Sequence, residues 1–192
     1  MAINPLTTMT PAEYLAFERA QPNARHEYLN GEITMISGTS MAHNQIVINV
    51  LASLHTQLRR SPCRVFPSDM RVKVPATGLY TYPDIVALCH EPRVEDDVLD
   101  TLLNPQVIIE VLSPSTEAYD RGAKFDHYRS ITSLQTYVLI AQDTPQIELF
   151  ERQEQGHWLL SVVKGWEAHV RLEAIDCELA LVEVYERVIE SR

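Results

Sequence analysis

YPDIVALC, residues 82–89, reads as a β-strand that opens on a proline and a carboxylate. From Ile85 to Cys89 the run is continuously apolar and bounded by turn residues. Such a run fits a strand covered on both faces, at the centre of a sheet. Asp84 at its mouth costs free energy unless it is solvated, paired or bound to a cation. A second run, VIIEVLS (residues 107–113), repeats the pattern with Glu110. Two such strands point to a mixed central β-sheet flanked by helices, an α/β or α+β fold.

The segments on either side fit this frame. TPAEYLAFERA (10–20) has Thr10 at an N-cap, Pro11 at the first helical position and Glu13 completing a capping box. RHEYLNGEITMIS (25–37) is a predicted hairpin turning at Asn30-Gly31. Residues 40–60 form a predicted helix, with Ile46, Val50, Leu54 and Leu58 at helical spacing. RVF (64–66) and MRVKV (70–74) follow as strands, the second with Arg71 and Lys73 alternating outward. Beyond VIIEVLS, a Ser/Pro/Thr-rich loop leads into a helix from about Ala118. QTYVLIAQ, QIELFER and HWLLSVVKG are strands, and LALVEVYERVIE (179–190) is a predicted closing helix. With 192 residues and no linker or repeat, the expectation is one domain over residues 1–192.

Composition is that of a soluble globular protein, 45% hydrophobic and 22% charged. No apolar stretch approaches a membrane span, and MAINPLTTMTPAEY lacks the features of a signal peptide. Cys63, Cys89 and Cys177 lack metal-type spacing and read as reduced thiols, so the expected location is cytoplasmic. A net charge of −10 argues against coating nucleic acid by general positive charge. Charge is nevertheless clustered: residues 59–73 carry Arg59, Arg60, Arg64, Arg71 and Lys73, whereas residues 91–100 hold five acids against Arg93. The basic cluster hints at a phosphate-facing side, although solvated surface charge explains it too.

Asp84 and Glu110 on neighbouring strands would repel, and one would hold its proton, unless a divalent cation lay between them. Mg²⁺ suits such a pair, since it takes one or two carboxylates and keeps several waters. The other reading is that Asp84 caps a turn and Glu110 pairs with a nearby Arg or Lys. No HExxH spacing occurs among the seven histidines, and the six glycines form no phosphate loop. His43, at a helix start, serves either the site or local packing. Ser113 and Ser115 have no evident His/Asp partner.

The ordered set YPD, IEVLSPST and YDRGAKFDHYRSI, with HEYLNGEI, SDMRVKV and SLQTYVLI, resembles the Uma-two family of the PD-(D/E)xK, restriction-endonuclease-like superfamily. The resemblance spans about Glu13 to the C-terminal helix. It implies an endonuclease that hydrolyses DNA phosphodiester bonds with Mg²⁺, or Mn²⁺ in its place, held by Asp84 and Glu110. Glu27 is implied as a further acid near the site, and a homodimer as the assembly. The superfamily places a Lys two residues after the Glu, where this chain has Leu112. The family offers Lys124 instead, on the same predicted helical face as Asp120 and Tyr128. An ordinary Asp120–Lys124 surface pair is the competing explanation. A nuclease fold kept only to bind nucleic acid or protein is the alternative function.

Overall fold

The computed structural model describes residues 8–36 and 38–189. Helix α1 (Pro11–Arg19) begins with the expected capping box between Thr10 and Glu13. The hairpin follows as β1 (His26–Leu29) and β2 (Glu32–Met35). Asn30 and Gly31 both take positive φ at its turn. A Cβ on Gly31 would also lie 2.8 Å from that of Thr8. Helix α2 (Met41–Leu58) is N-capped by Ser40. Then come β3 (Arg64–Pro67), β4 (Arg71–Val74), β5 (Leu79–Thr81), β6 (Ile85–Leu88), β7 (Thr101–Leu102) and β8 (Val107–Val111). Short helices α3 (Glu117–Arg121) and α4 (Ala123–Tyr128) precede β9 (Thr136–Ile140), β10 (Gln146–Arg152) and β11 (Trp158–Lys164). Strands β12 (His169–Leu172) and β13 (Cys177–Ala180) and helix α5 (Leu181–Val184) complete the order.

The fold is α+β, with mixed sheets flanked by helices. One sheet has six strands in the order β11-β10-β9-β8-β6-β3. A second has five, β2-β1-β5-β4-β7, and β12-β13 form a separate ribbon. The pairs β8–β9 and β4–β7 are parallel, and every other pair is antiparallel. As their continuous apolar runs require, β6 and β8 are buried along their whole length. One face of the six-stranded sheet packs Ile85, Ala87, Val107 and Ile109 against Ile46, Val50, Leu54 and Leu58 of α2. Each of those α2 side chains contributes about 1.5–3 kcal/mol by leaving water. On the opposite face Val86, Leu88 and Ile108 meet Val72, Val74 and Leu79 of the second sheet and Tyr128 of α4.

Several expectations are corrected. The helix expected from Ala118 is broken at Gly122, whose ψ of −100° belongs to neither helix nor strand. A Cβ there would sit 3.1 Å from the Ala118 carbonyl oxygen. The closing helix shrinks to Leu181–Val184, because Leu179 and Ala180 pair in β13. Its expected end at Glu190, the hairpin's Ser37 and the opening Met1–Thr7 lie outside the described residues. Arg71 does not point outward: it is buried, donating to the Tyr82 hydroxyl at 2.9 Å and to Thr101 at 3.1 Å. Lys73 pairs with Glu95 and Arg71 with Asp100, so the acidic stretch neutralises two members of the basic cluster. Cys63 and Cys89 form a disulfide. They are distant in sequence, but the register Arg64↔Leu88 brings the residues just beyond it together. Cys177 is free and buried. No helix among the described residues is long and apolar enough to cross a membrane.

Candidate active site

Strands β6 and β8 run antiparallel with Ile85 opposite Ile109, and the same register carried one residue further sets Asp84 opposite Glu110. The pair is tied through backbone. Asp84 Oδ2 accepts from the Val111 amide at 2.8 Å, and the Asp84 amide donates to Glu110 Oε2 at 3.3 Å. Both carboxylates line a cavity of about 910 Å³, enclosed in part by the β1–β2 hairpin and the loop after β8.

The break at Gly122 lets α3 and α4 aim Asp120, Lys124 and Tyr128 inward, and all three are buried. Lys124 Nζ lies 2.9 Å from Glu110 Oε1, 3.3 Å from Asp120 Oδ1 and 3.7 Å from Glu27 Oε1. The Asp120 contact is coulombic, since that oxygen lacks a well-aligned hydrogen bond. The Tyr128 hydroxyl donates to Glu110 Oε1 at 2.9 Å. Asp120 and Lys124 are therefore not a solvated surface pair.

Strand alternation positions Glu27. His26 and Tyr28 turn toward α1, where the His26 amide donates to Glu18 at 2.8 Å and the Tyr28 ring stacks on Tyr14. Glu27 is left on the cavity side, where it accepts from the Thr81 hydroxyl. His43 reaches the site from the first turn of α2, with Nε2 3.0 Å from Asp84 Oδ2. Facing a carboxylate, that nitrogen carries the hydrogen and donates. Its other nitrogen, Nδ1, is buried without a partner among the described residues.

Sequence reasoning assigned no role to Thr81, Tyr119, Gln142 or the Tyr128 hydroxyl. The spacing of Asp120, Lys124 and Tyr128 was the signal available for Tyr128. Gln142 ties the start of α2 to the end of β8, accepting from Ser40 Oγ at 2.6 Å and donating to the Leu112 carbonyl at 2.5 Å. Leu112 itself is buried in the core, so its side chain brings no charge to the site.

Three carboxylates, Glu27, Glu110 and Asp120, thus surround one ammonium, and a fourth, Asp84, is tied to Glu110 beside them. Burial pushes the Glu110 carboxyl from its ordinary 4.5 up to about 8, Lys124 pulling the other way while Asp84 and Asp120 add to the rise. For Lys124 burial alone would favour loss of the proton, but Glu110, Glu27 and Asp120 outweigh it and keep the ammonium charged. This surplus of negative charge fits a divalent cation beside Asp84 and Glu110. Among the described residues no group of three or more His, Cys, Asp or Glu side chains is arranged to hold a metal. A two-carboxylate donor set of hard oxygens suits Mg²⁺ or Mn²⁺, completed by water, rather than Zn²⁺.

Two expectations arise here. The folded Glu110 carboxyl holds its proton more tightly than the unfolded one, because its pKa is raised. Metal-free stability from this group is therefore fullest below pH 4.5 and is lost as the pH rises through about 8. Glu110→Gln should flatten that decline in thermal melts run in chelator; an undiminished slope would assign the decline elsewhere. Second, His43→Leu should weaken Mn²⁺ binding about 10–100-fold by freeing Asp84 to rotate. His43→Gln, which keeps a donor, should recover part of it. Calorimetric titration decides, and wild-type affinity in the Leu variant would make His43 a packing residue.

The fold and the sequence have counterparts among known proteins. The crystal structure of "a putative nuclease belonging to DUF820" from Anabaena variabilis ATCC 29413 superposes with a TM-score of 0.76 at 18% identity, over 94% of this chain and 99% of that one. At that identity the likeness speaks for the fold. Two uncharacterised proteins of Synechocystis sp. PCC 6803 are similar in sequence. One, sll1609, is 34% identical over 170 residues, 88% of this chain and 96% of its own length. The other, slr1290, is 34% identical over 169 residues, 88% of this chain and 86% of its own length. The Uma2 family model, described as "Putative restriction endonuclease", matches residues 11–182, which take in every residue of the cavity floor. The chain belongs to the Uma2 family.

Proposed function

We propose that the whole chain works as one metal-dependent nuclease domain that hydrolyses DNA phosphodiester bonds. The observation that carries this reading is the cluster of four carboxylates and one buried ammonium at the floor of a cavity, on a nuclease-like fold. Asp84 and Glu110 would hold Mg²⁺, which when bound supplies Lewis-acid stabilisation of phosphoryl charge. Lys124 keeps a fixed positive donor where charge develops on the phosphate, a role worth most in a water-poor site. Glu27 and Asp120 hold that ammonium in place. Tyr128 orients Glu110 through its hydroxyl, and His43 with the Val111 amide orients Asp84.

The reading extends to a homodimer in the cytoplasm. Half-exposed Leu159, Leu160 and Val162 on the edge strand β11 support self-association. The Cys63–Cys89 disulfide pulls against a reducing compartment, and thiol titration of protein taken from cells addresses it.

Purified protein incubated with plasmid DNA and with single-stranded DNA, alongside a small model phosphodiester, tests the activity. Cleavage of DNA that needs Mg²⁺ or Mn²⁺ and stops with chelator supports the reading. Hydrolysis of the small diester alone would make the protein a phosphoesterase of small substrates. Binding of DNA without cleavage under any divalent cation would leave a nuclease fold kept for binding.

A further inference from the structure

We infer that the cleft takes a short single-stranded stretch of nucleic acid rather than a continuous duplex. This rests on the nuclease reading and names its substrate class. The cavity, at about 910 Å³, has the size of sites that engulf a compact ligand rather than of a groove tracking a duplex. The groups that would meet the scissile phosphate lie at its floor. The Glu110 side chain is 4% exposed, that of Lys124 8% and that of Asp84 17%. A phosphate reaches them only if its strand enters the cavity, and a paired strand brings its partner along.

Charge points the same way. Of the residues lining the cavity, Glu27, Glu32, Asp84, Glu110 and Asp120 are acidic, against Lys124 and His43 on the basic side. Duplex DNA presents a negative charge about every 1.7 Å of its axis, and proteins that hold it answer with rows of Lys and Arg. Arg25 and Arg121, close in sequence to the lining residues Glu27 and Asp120, do not line the cavity and pair instead with Asp69 and with Glu117 and Glu148. The wall instead offers what an unpaired base needs. Tyr119 is half-exposed at the cavity edge, and Met35 and Ile36 present apolar surface from the end of β2. Bases stack on such surfaces without regard to sequence, by about 1–3 kcal/mol each.

The test compares a blunt duplex, the same duplex carrying a single-stranded tail, and the free strand, with Mg²⁺ for cleavage and with Ca²⁺ for binding by fluorescence anisotropy. Cleavage within the tail and the free strand should exceed that of the blunt duplex about tenfold or more. The slope of log affinity against log salt for the free strand should stay shallower than about −2, since each neutralised phosphate adds about 0.7. Equal cleavage and binding of the blunt duplex, or a steep salt slope, would overturn this inference while leaving the hydrolase intact. Failure to cut any of the three, or a small model phosphodiester, would overturn the nuclease reading itself and this inference with it.

Discussion

Asp84→Asn and Glu110→Gln should each lower DNA hydrolysis by about a thousandfold or more, with the fold retained. Each substitution keeps side-chain size and removes the charge a divalent cation would need. Asn at 84 still presents an oxygen to the Val111 amide, so the link between β6 and β8 survives. Glu110→Gln takes a carboxylate from Lys124 but leaves it Asp120 at 3.3 Å and Glu27 at 3.7 Å. It also relieves the crowding that drives the Glu110 carboxyl up to about 8. Melting in chelator should therefore lie near or above that of the wild type. Circular dichroism and thermal melts beside the cleavage assay separate the outcomes. Unfolding of both variants would mean that the carboxylates are structural partners and no catalytic pair.

Lys124→Ala should have the opposite signature, a loss of both activity and stability. Lys124 is buried, and its removal leaves Glu110, Glu27 and Asp120 facing one another without a cation. Breaking a buried ion pair from one side costs about 3–5 kcal/mol. In a chain of this size that lowers the melting temperature by about 6–20 °C. Mn²⁺ should recover part of the loss by occupying the same negative field, a linkage effect on melting that needs no turnover. Lys124→Arg should restore stability better than activity, because the guanidinium keeps the charge but not the compact ammonium. A Lys124→Ala protein that melts and cuts like the wild type would remove Lys124 from the site.

The sequence was most informative where burial is complete. The apolar runs through β6 and β8 read as central strands because both faces of each are covered, and their lone carboxylates stood out for the same reason. Local chemistry marked the capping box at Thr10 and Glu13 and the turn at Asn30-Gly31. The second sheet was hidden, since β5 and β7 have three and two residues, too few for any period to register. LALVEV at 179–184 satisfies helix and strand alternation alike, and pairing with β12 decided for strand over its first two residues. Alternation in RVKV gave two faces but could not tell which one α1 and the acidic stretch would cover, hence the misplacement of Arg71. In the site, Lys124 was suggested by family likeness and helical spacing. Its burial among three carboxylates depended on the break at Gly122, a tertiary choice with no local signal beyond the glycine itself.

A crystal soaked in Mn²⁺ and measured for anomalous scattering shows whether Asp84 and Glu110 hold a divalent cation. One strong peak should appear, coordinated by the carboxylates of Asp84 and Glu110, with Lys124 close by but not bound to the ion, and it should disappear in Glu110→Gln. An ion elsewhere in the cavity, or none at concentrations that support cleavage, would contradict that role for the two carboxylates.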